Sequence, residues 1–261
     1  MSLKVVPLSS SSSGNAVLVT GNGRSILIDC GIPVRRLKEG LESAGVRLND
    51  VEGILLTHEH DDHIRTAAVV SENYGIPVYA SRGTLREVKS RLDLKGGFYF
   101  EKMRTFSLAG MEITPFSTPH DAVQPVGYSI SAGGLRYTQA TDIGYFSPEV
   151  ESKMLRSDIV LIESNHDVDM LINGRYPVCL KERILSRSGH LSNAGCAEAV
   201  LKILDSGTRN IILGHLSEHN NTTELAYETT AEAIEKRGGS VGKDCVLVVA
   251  NRRTATRGVE L

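Results

Sequence analysis

Apolar positions in this chain fall into short β-rich runs separated by stretches of helical period. The runs Leu3–Pro7, Ala16–Thr20, Ile26–Asp29, Gly53–Thr57, Ile76–Ala80, Met111–Ser117, Val126–Ser131, Leu135–Gln139, Ile159–Glu163, Ile211–Gly214 and Cys245–Val249 read as strands. Between them, Val34, Leu37, Leu41 and Ala44 share one helical face, with Gly45 placed to end it. Leu85, Val88 and Leu92 repeat that spacing. Ser192 is placed to cap a helix carrying Ala199, Val200, Ile203 and Leu204, with Gly207 near its stop. Asn221 or Thr222 starts another, carrying Leu225, Ala226, Ala233 and Ile234 and ending near Gly238. The alternation predicts an α/β protein. Two packed sheets with helices outside, four layers in all, fit the pattern, and periodicity alone leaves a doubly wound sheet open. No linker or composition shift marks a boundary, so residues 1–261 are expected to form a single domain.

Composition narrows the classes. A chain of 261 residues with 41% hydrophobic side chains can build its own core. A net charge of −2 excludes a strongly basic nucleic-acid binder but not a local basic groove. The four cysteines (Cys30, Cys179, Cys196 and Cys245) lie far apart with no CxxC pair, which argues against a disulfide framework or a thiolate zinc site. The N-terminal residues lack a signal-peptide pattern, and no apolar stretch is long enough to cross a membrane. A cytoplasmic protein without a membrane partner is the expectation; its oligomeric state is left open.

The histidines carry the chemistry. Three fall within Thr57-His58-Glu59-His60-Asp61-Asp62-His63, just after the apolar run Gly53–Leu56. His120, Asp142, His166 and His215 also follow predicted strands, and residues just past strand ends converge on one rim of a sheet. In an extended exit loop His58 and His60 point the same way. Asp62 and His63 lie where the chain turns into a helix expected near Ile64, so they can face a position a few ångströms from the first pair. Two divalent ions about 3.5–4 Å apart, bridged by a hydroxide, need such a set of imidazoles and carboxylates. Imidazole suits zinc or iron, and carboxylate admits manganese. His219 is read as a surface or supporting residue.

These motifs resemble those of the metallo-β-lactamase fold superfamily. The resemblance implies the αββα four-layer sandwich of two similar halves, here divided near Val123. It implies one metal on His58, His60 and His120, a second on Asp62, His63 and His215, and Asp142 as bridge, with Asp29 orienting the metal loop. Ser11-Ser12-Ser13-Gly14-Asn15, Glu163-Ser164-Asn165-His166-Asp167, Gly189-His190-Leu191-Ser192-Asn193 and His215-Leu216-Ser217 together resemble the bacterial YycJ/WalJ group, which implies a 5′→3′ DNA exonuclease. The His-Leu-Ser element is also similar to the last motif of tRNase Z enzymes. Only 72 residues separate Asp142 from His215, which leaves little room for a β-CASP cap. No long Gly/Pro-rich arm of the tRNase Z kind is visible.

The expected reaction is hydrolysis of phosphodiester bonds by a metal-bridging hydroxide, with DNA as the nucleic-acid partner. Two dications match the charge of a phosphodiester better than that of a neutral amide. A general acid would help the poor alkoxide leaving group by about 10²–10⁴. His190 and His166 are the candidates for it, and Asp62 and Asp29 complete the catalytic set. The hydroxyls of Ser12 and Ser13, with Asn15 and Asn165, are candidates for holding substrate; for the serine run a simple turn is the competing reading. Basic stretches at Arg82–Arg104 and Lys236–Arg257 could track a phosphate backbone or serve as solvated faces. Phe98, Tyr99 and Phe100 form one local aromatic cluster. A small-molecule hydrolase of the same fold, acting on cyclic phosphodiesters, thioesters or lactones, is the alternative. A flavodiiron-type oxidoreductase would carry Glu where His60 stands.

Overall fold

A computed structural model describes residues 2–100 and 103–261. Among these residues the strands form two seven-stranded sheets. The first contains β1 (Leu3–Ser9), β2 (Ala16–Gly21), β3 (Arg24–Ile28), β4 (Val51–Leu55), β5 (Val78–Ser81) and β6 (Phe98–Phe100). The second runs from β7 (Phe106–Leu108) through β8 (Met111–Ser117), β9 (Val126–Ala132), β10 (Leu135–Ala140), β11 (Ile159–Glu163) and β12 (Asn210–Gly214) to β13 (Val246–Val249). A short β14 (Val259–Glu260) returns to pair antiparallel with β1. Each sheet starts as an antiparallel meander and continues as parallel strands: β3 to β6 in the first, β10 to β13 in the second. The halves therefore share one plan. The chain passes between them after Phe100 and before Phe106, ahead of the division expected near Val123.

Helices cover the outer faces: α1 (Val34–Ser43), α2 (Asp61–Ile64), α3 (Ala67–Tyr74) and α4 (Arg82–Leu92) in the first half. The second half has α5 (Pro148–Met154), α6 (Val168–Asn173), α7 (Val178–Leu185), α8 (Asn193–Asp205) and α9 (Thr223–Lys236). Strand side chains alternate between two apolar environments. Leu3 and Val5 of β1, Ile26 and Ile28 of β3, and Ile159 and Leu161 of β11 meet in a core between the sheets. Val6, Leu8 and Leu27 face Leu37, Leu41, Val70 and Val88 of the first helical layer. Val160, Ile162, Ile211 and Leu213 face Val150, Val200 and Ile234 of the second. Three cores thus separate four layers, α/β/β/α. This excludes the doubly wound alternative and explains why several strands read as unbroken apolar runs: both faces are buried.

The caps hold where expected. Ser192 Oγ accepts from Gly195 N–H at 3.1 Å, and Thr222 Oγ1, rather than Asn221, from Leu225 N–H at 3.0 Å. No helix among the described residues is long and apolar enough to cross a membrane.

Candidate metal centre

The site lies where the parallel strands end. Asp29 follows β3, the His58–His63 loop follows β4, Asp142 follows β10, Glu163 closes β11 and His215 follows β12. Three of these residues leave their strands in the left-handed region: Asp29 at φ +62°, Asp142 at +56° and His215 at +55°. Non-glycine residues adopt this conformation at a cost and only where surroundings enforce it. Here it turns each side chain back over the strand ends. Gly31 supplies the close approach that seats the loop. A Cβ there would stand 1.7 Å from the Asp62 carbonyl oxygen and 2.8 Å from His63 N.

Asp29 sits behind the cluster. Its Oδ1 accepts from Thr57 N–H at 2.8 Å, and its Oδ2 lies 2.8 Å from His63 Nδ1. With that proton held, His63 turns Nε2 inward, 3.3 Å from Asp62 Oδ2 and 3.2 Å from Asp142 Oδ2. Asp62 belongs to the same group as His215, whose Nε2 is 3.4 Å from Asp62 Oδ2 and 3.5 Å from Asp142 Oδ1. On the other side of Asp142, His58 Nε2 lies 3.0 Å and His120 Nε2 3.2 Å from His60 Nδ1. The His120 Nδ1–H donates to the Gly189 carbonyl at 3.1 Å, which leaves Nε2 as a lone pair facing its neighbours. The structure therefore brings together His58, His60 and His120 in one group and Asp62, His63 and His215 in another, with the buried Asp142 beside both.

This donor set fits divalent cations. His60 Nδ1 lies 3.0 Å from His58 Nε2 and 3.2 Å from His120 Nε2, and one shared proton serves two such contacts poorly. Their spacing is close to the edge of about 3.4 Å that a tetrahedron with metal–nitrogen bonds of about 2.1 Å requires. Asp142 Oδ2 is buried without a well-formed hydrogen bond among the described residues, although His63 Nε2 is near. A buried carboxylate left so needs a cation beside it.

Charge coupling within the site is strong. Burial pushes the His58 and His120 imidazoles down, so both are neutral at pH 7. Burial opposes charge on His63 as well, but Asp62, Asp142 and Asp29 outweigh it and raise this ring well above the usual range. His215 rises to about 10 in the same way, against burial, through Asp142, Asp62 and Glu163. The histidines in turn hold Asp62 and Asp142 well below the usual carboxylate range despite burial.

Glu163 was not among the residues singled out as functional, and it organises the second half of the site. Its Oε1 lies 2.8 Å from both His190 Nδ1 and His215 Nδ1. Its Oε2 accepts from Ile143 N–H at 2.7 Å and Leu191 N–H at 3.1 Å. The sequence signal was available: a lone carboxylate closes the otherwise apolar run Ile159–Ile162, as Asp29 closes the run before it. The α6–α7 excursion was also missed. With Arg91 of α4 it walls a cleft of about 350 Å³ over the metal-binding groups, contributing Tyr176, Leu180 and Arg183.

The remaining expectations divide. Ser12, Asn165 and His190 line this cleft. Asn165 Nδ2 donates to the His215 carbonyl at 2.9 Å and reaches Ser12 Oγ at 3.3 Å. Ser13 does not line it; its hydroxyl donates to Glu218 Oε1 at 2.7 Å. Asn15 is buried behind Asp62: its Oδ1 accepts from Ser11 N–H at 3.0 Å, and its Nδ2 donates to the Ser11 carbonyl at 2.9 Å and lies 3.1 Å from His63 Nε2 and 3.3 Å from Asp62 Oδ2. His166 lines a separate cavity rather than this cleft, and burial pushes its imidazole down to about 4. Of the basic stretches, Arg91 reaches the cleft rim and Arg253 pairs with Glu218 at 2.8 Å. Phe98–Phe100 is the edge strand β6, with Phe98 stacked on Tyr79. His219 lies against Tyr176 outside the metal-binding groups.

Residues 24–216 match the β-lactamase superfamily domain. The chain belongs to this superfamily. It is 35% identical over 248 residues to a protein of Bacillus anthracis named Exodeoxyribonuclease YycJ, covering 93% of each chain. It is equally identical over 254 residues to one of Streptococcus pneumoniae named Exodeoxyribonuclease WalJ, covering 95% of this chain and 94% of the relative. Among solved structures, the metallo-β-lactamase fold protein YhfI of Bacillus subtilis superposes with a TM-score of 0.72 at 18% identity, covering 98% of this chain and 99% of the other, which shows the shared fold. The superfamily membership and the clustered His and Asp side chains together make divalent-metal binding the property of this site.

Proposed function

We propose that the chain is a metal-dependent phosphodiesterase that degrades DNA from an end, a 5′→3′ exodeoxyribonuclease. The observation that carries the reading is the pair of His/Asp groups flanking buried Asp142 on the floor of an Arg-rimmed cleft. Near end-to-end similarity to the proteins named exodeoxyribonuclease supplies the substrate. Residues 1–261 act as one domain in this proposal, with β14 returning the chain to β1.

His58, His60 and His120 would hold one divalent cation, and Asp62, His63 and His215 a second, with Asp142 serving both. Zinc or manganese suits these ligands, and iron is compatible with them. When bound, such a pair neutralises charge on a phosphoryl group and supplies a nucleophile at neutral pH. The chain's own residues do the rest. Asp29 fixes the His63 ring. Glu163 accepts the Nδ1 protons of His190 and His215 and so holds the His190 ring with Nε2 toward the cleft, where a proton carried on Nε2 would pass to the departing oxygen. Asn165 and Ser12 stand beside His215 to hold a phosphate oxygen. Arg91 and Arg183 are paired with Asp61 and Asp121, and a DNA backbone would compete for these guanidiniums.

The test strips the protein with a chelator, reloads it with manganese or zinc, and measures bound metal alongside cleavage of a single-stranded oligonucleotide. Metal-restored cleavage that falls steeply with added salt and is absent in Asp62→Ala supports the reading. Metal-restored hydrolysis of cyclic dinucleotides, thioesters or lactones with no action on the oligonucleotide would replace it with the small-molecule hydrolase.

A further inference from the structure

A second cavity of about 370 Å³ adjoins the cleft. Tyr145, Phe146, His166, Ser192 and Lys202 line it, and so does His190. His190 also lines the cleft over the metal-binding groups, so one imidazole forms a wall of both. His166, in the β11–α6 connection, is 1% exposed, and neither of its ring nitrogens has a hydrogen-bond partner among the described residues. Leaving a buried polar group unmet costs about 1–3 kcal/mol, so native structures seldom do so without a reason. The backbone at this residue is well tied, since its carbonyl accepts from Asn193 N–H at 2.8 Å. The unmet ring therefore does not come from a loose loop. The Arg187 guanidinium stands 4.0 Å from the Tyr145 ring centre, and the Lys202 ammonium 5.9 Å from that of Phe146.

We propose that this cavity is the subsite for the leaving nucleotide: its base lies against Tyr145 and Phe146, and its polar edge meets the His166 imidazole. The inference rests on the function proposed above and deepens it. In the hydrolysis, a water oxygen bonds to phosphorus and the bond from phosphorus to the 3′ oxygen breaks. That oxygen takes the proton from His190 Nε2. The products are a nucleotide ending in a 3′ hydroxyl and a strand beginning with a 5′ phosphate. The nucleoside that carries the departing oxygen must lie on the His190 side of the phosphorus, which is where the cavity is. In a 5′→3′ reaction it is the terminal nucleotide. A site of this size takes one nucleotide and not a continuing strand, which selects ends over interior positions.

The test titrates thymidine 5′-monophosphate into metal-free protein and follows the ring resonances of His166 and Tyr145 by NMR. Saturable shifts at both rings are expected. His166→Leu should weaken binding at least tenfold without lowering the melting temperature, because no hydrogen bond is lost. Tyr145→Ala should weaken it as well and serves if the first variant misfolds. Unmoved resonances in the wild type, or equal affinity in both variants, overturn the subsite. Cleavage of DNA is scored separately with the metal-loaded wild type. Cleavage without mononucleotide binding removes the subsite and leaves the function. Mononucleotide binding without cleavage of any phosphodiester removes the function and, with it, the leaving-group assignment.

Discussion

Replacing Glu163 with glutamine removes one charge and almost no volume. The glutamine carbonyl can keep the two bonds from the Ile143 and Leu191 amides. Its NH₂ then faces His190 Nδ1 and His215 Nδ1, each 2.8 Å from the oxygen it replaces. Both rings must turn a lone pair toward the amide, so the proton moves to Nε2. On His215 that atom is the one beside Asp62 and Asp142, where a cation needs a lone pair. Loss of such an outer partner costs roughly 10–100-fold in metal affinity, equivalent to about 1.4–2.7 kcal/mol. His190 loses the carboxylate that accepts its Nδ1 proton and fixes its ring, so turnover at saturating metal should fall by a further 10² or so, within the general-acid range. Burial opposes ionisation of Glu163, but His190 and His215 hold it down at about 2, so the lost charge is present throughout the neutral range. Competition with a chromophoric chelator gives the affinity, and oligonucleotide cleavage at saturating metal gives turnover. Wild-type values for both, in a variant that melts normally, would refute the claim that Glu163 sets the two rings.

Gly31→Ala forces a Cβ into the Asp62 carbonyl, a backbone collision no rotamer relieves; expected are about 1–3 kcal/mol of lost stability by chemical denaturation and reduced metal content, and unchanged metal content would contradict the close-approach argument. Metal loading at pH 7 should release protons, because His215 at about 10 and the raised His63 are charged without metal and must be neutral to bind it; calorimetric heats that do not depend on buffer ionisation enthalpy would contradict this. The same rise of His215 from 6.5 to about 10 stabilises the metal-free fold fully below about pH 6.5, and that contribution is lost as pH climbs toward 10; a pH series of metal-free denaturation midpoints checks the sign. Burial raises the Cys30 and Cys196 thiols to about 12 while Cys179 is exposed; a thiol reagent at pH 8 should label Cys179 in the native protein and Cys30 and Cys196 only after unfolding.

Much of the fold was legible because the middle strands are buried on both faces, so their β-branched runs stand out. What escaped lies at the margins. The edge strands β6, β7 and β14 are two or three residues long, too short for periodicity to register. Helices α5 to α7 run six to eight residues, and α6 and α7 bury one residue each, Leu171 and Ile184. Their start signals were present as Ser147-Pro148, Asp167 and Pro177. The clustering of His58, His60, Asp62, His63, His120, Asp142 and His215 followed from their positions past strand ends. Glu163 was signalled as a carboxylate closing an apolar strand, whereas the surroundings of His166 and Asn15 were not, because both stand in connections where the direction a side chain takes depends on how the loop crosses. Local sequence does not fix that direction; packing against Gly31, Gly189 and the opposite sheet does.

End-labelled linear DNA digested beside a covalently closed circle, with manganese- or zinc-loaded protein and an Asp62→Ala control, tests the central claim most directly. The account predicts stepwise loss of the linear DNA from its 5′ end, an intact circle, and no digestion in the control. An intact linear substrate with both cations bound, or digestion that persists in Asp62→Ala, would contradict it.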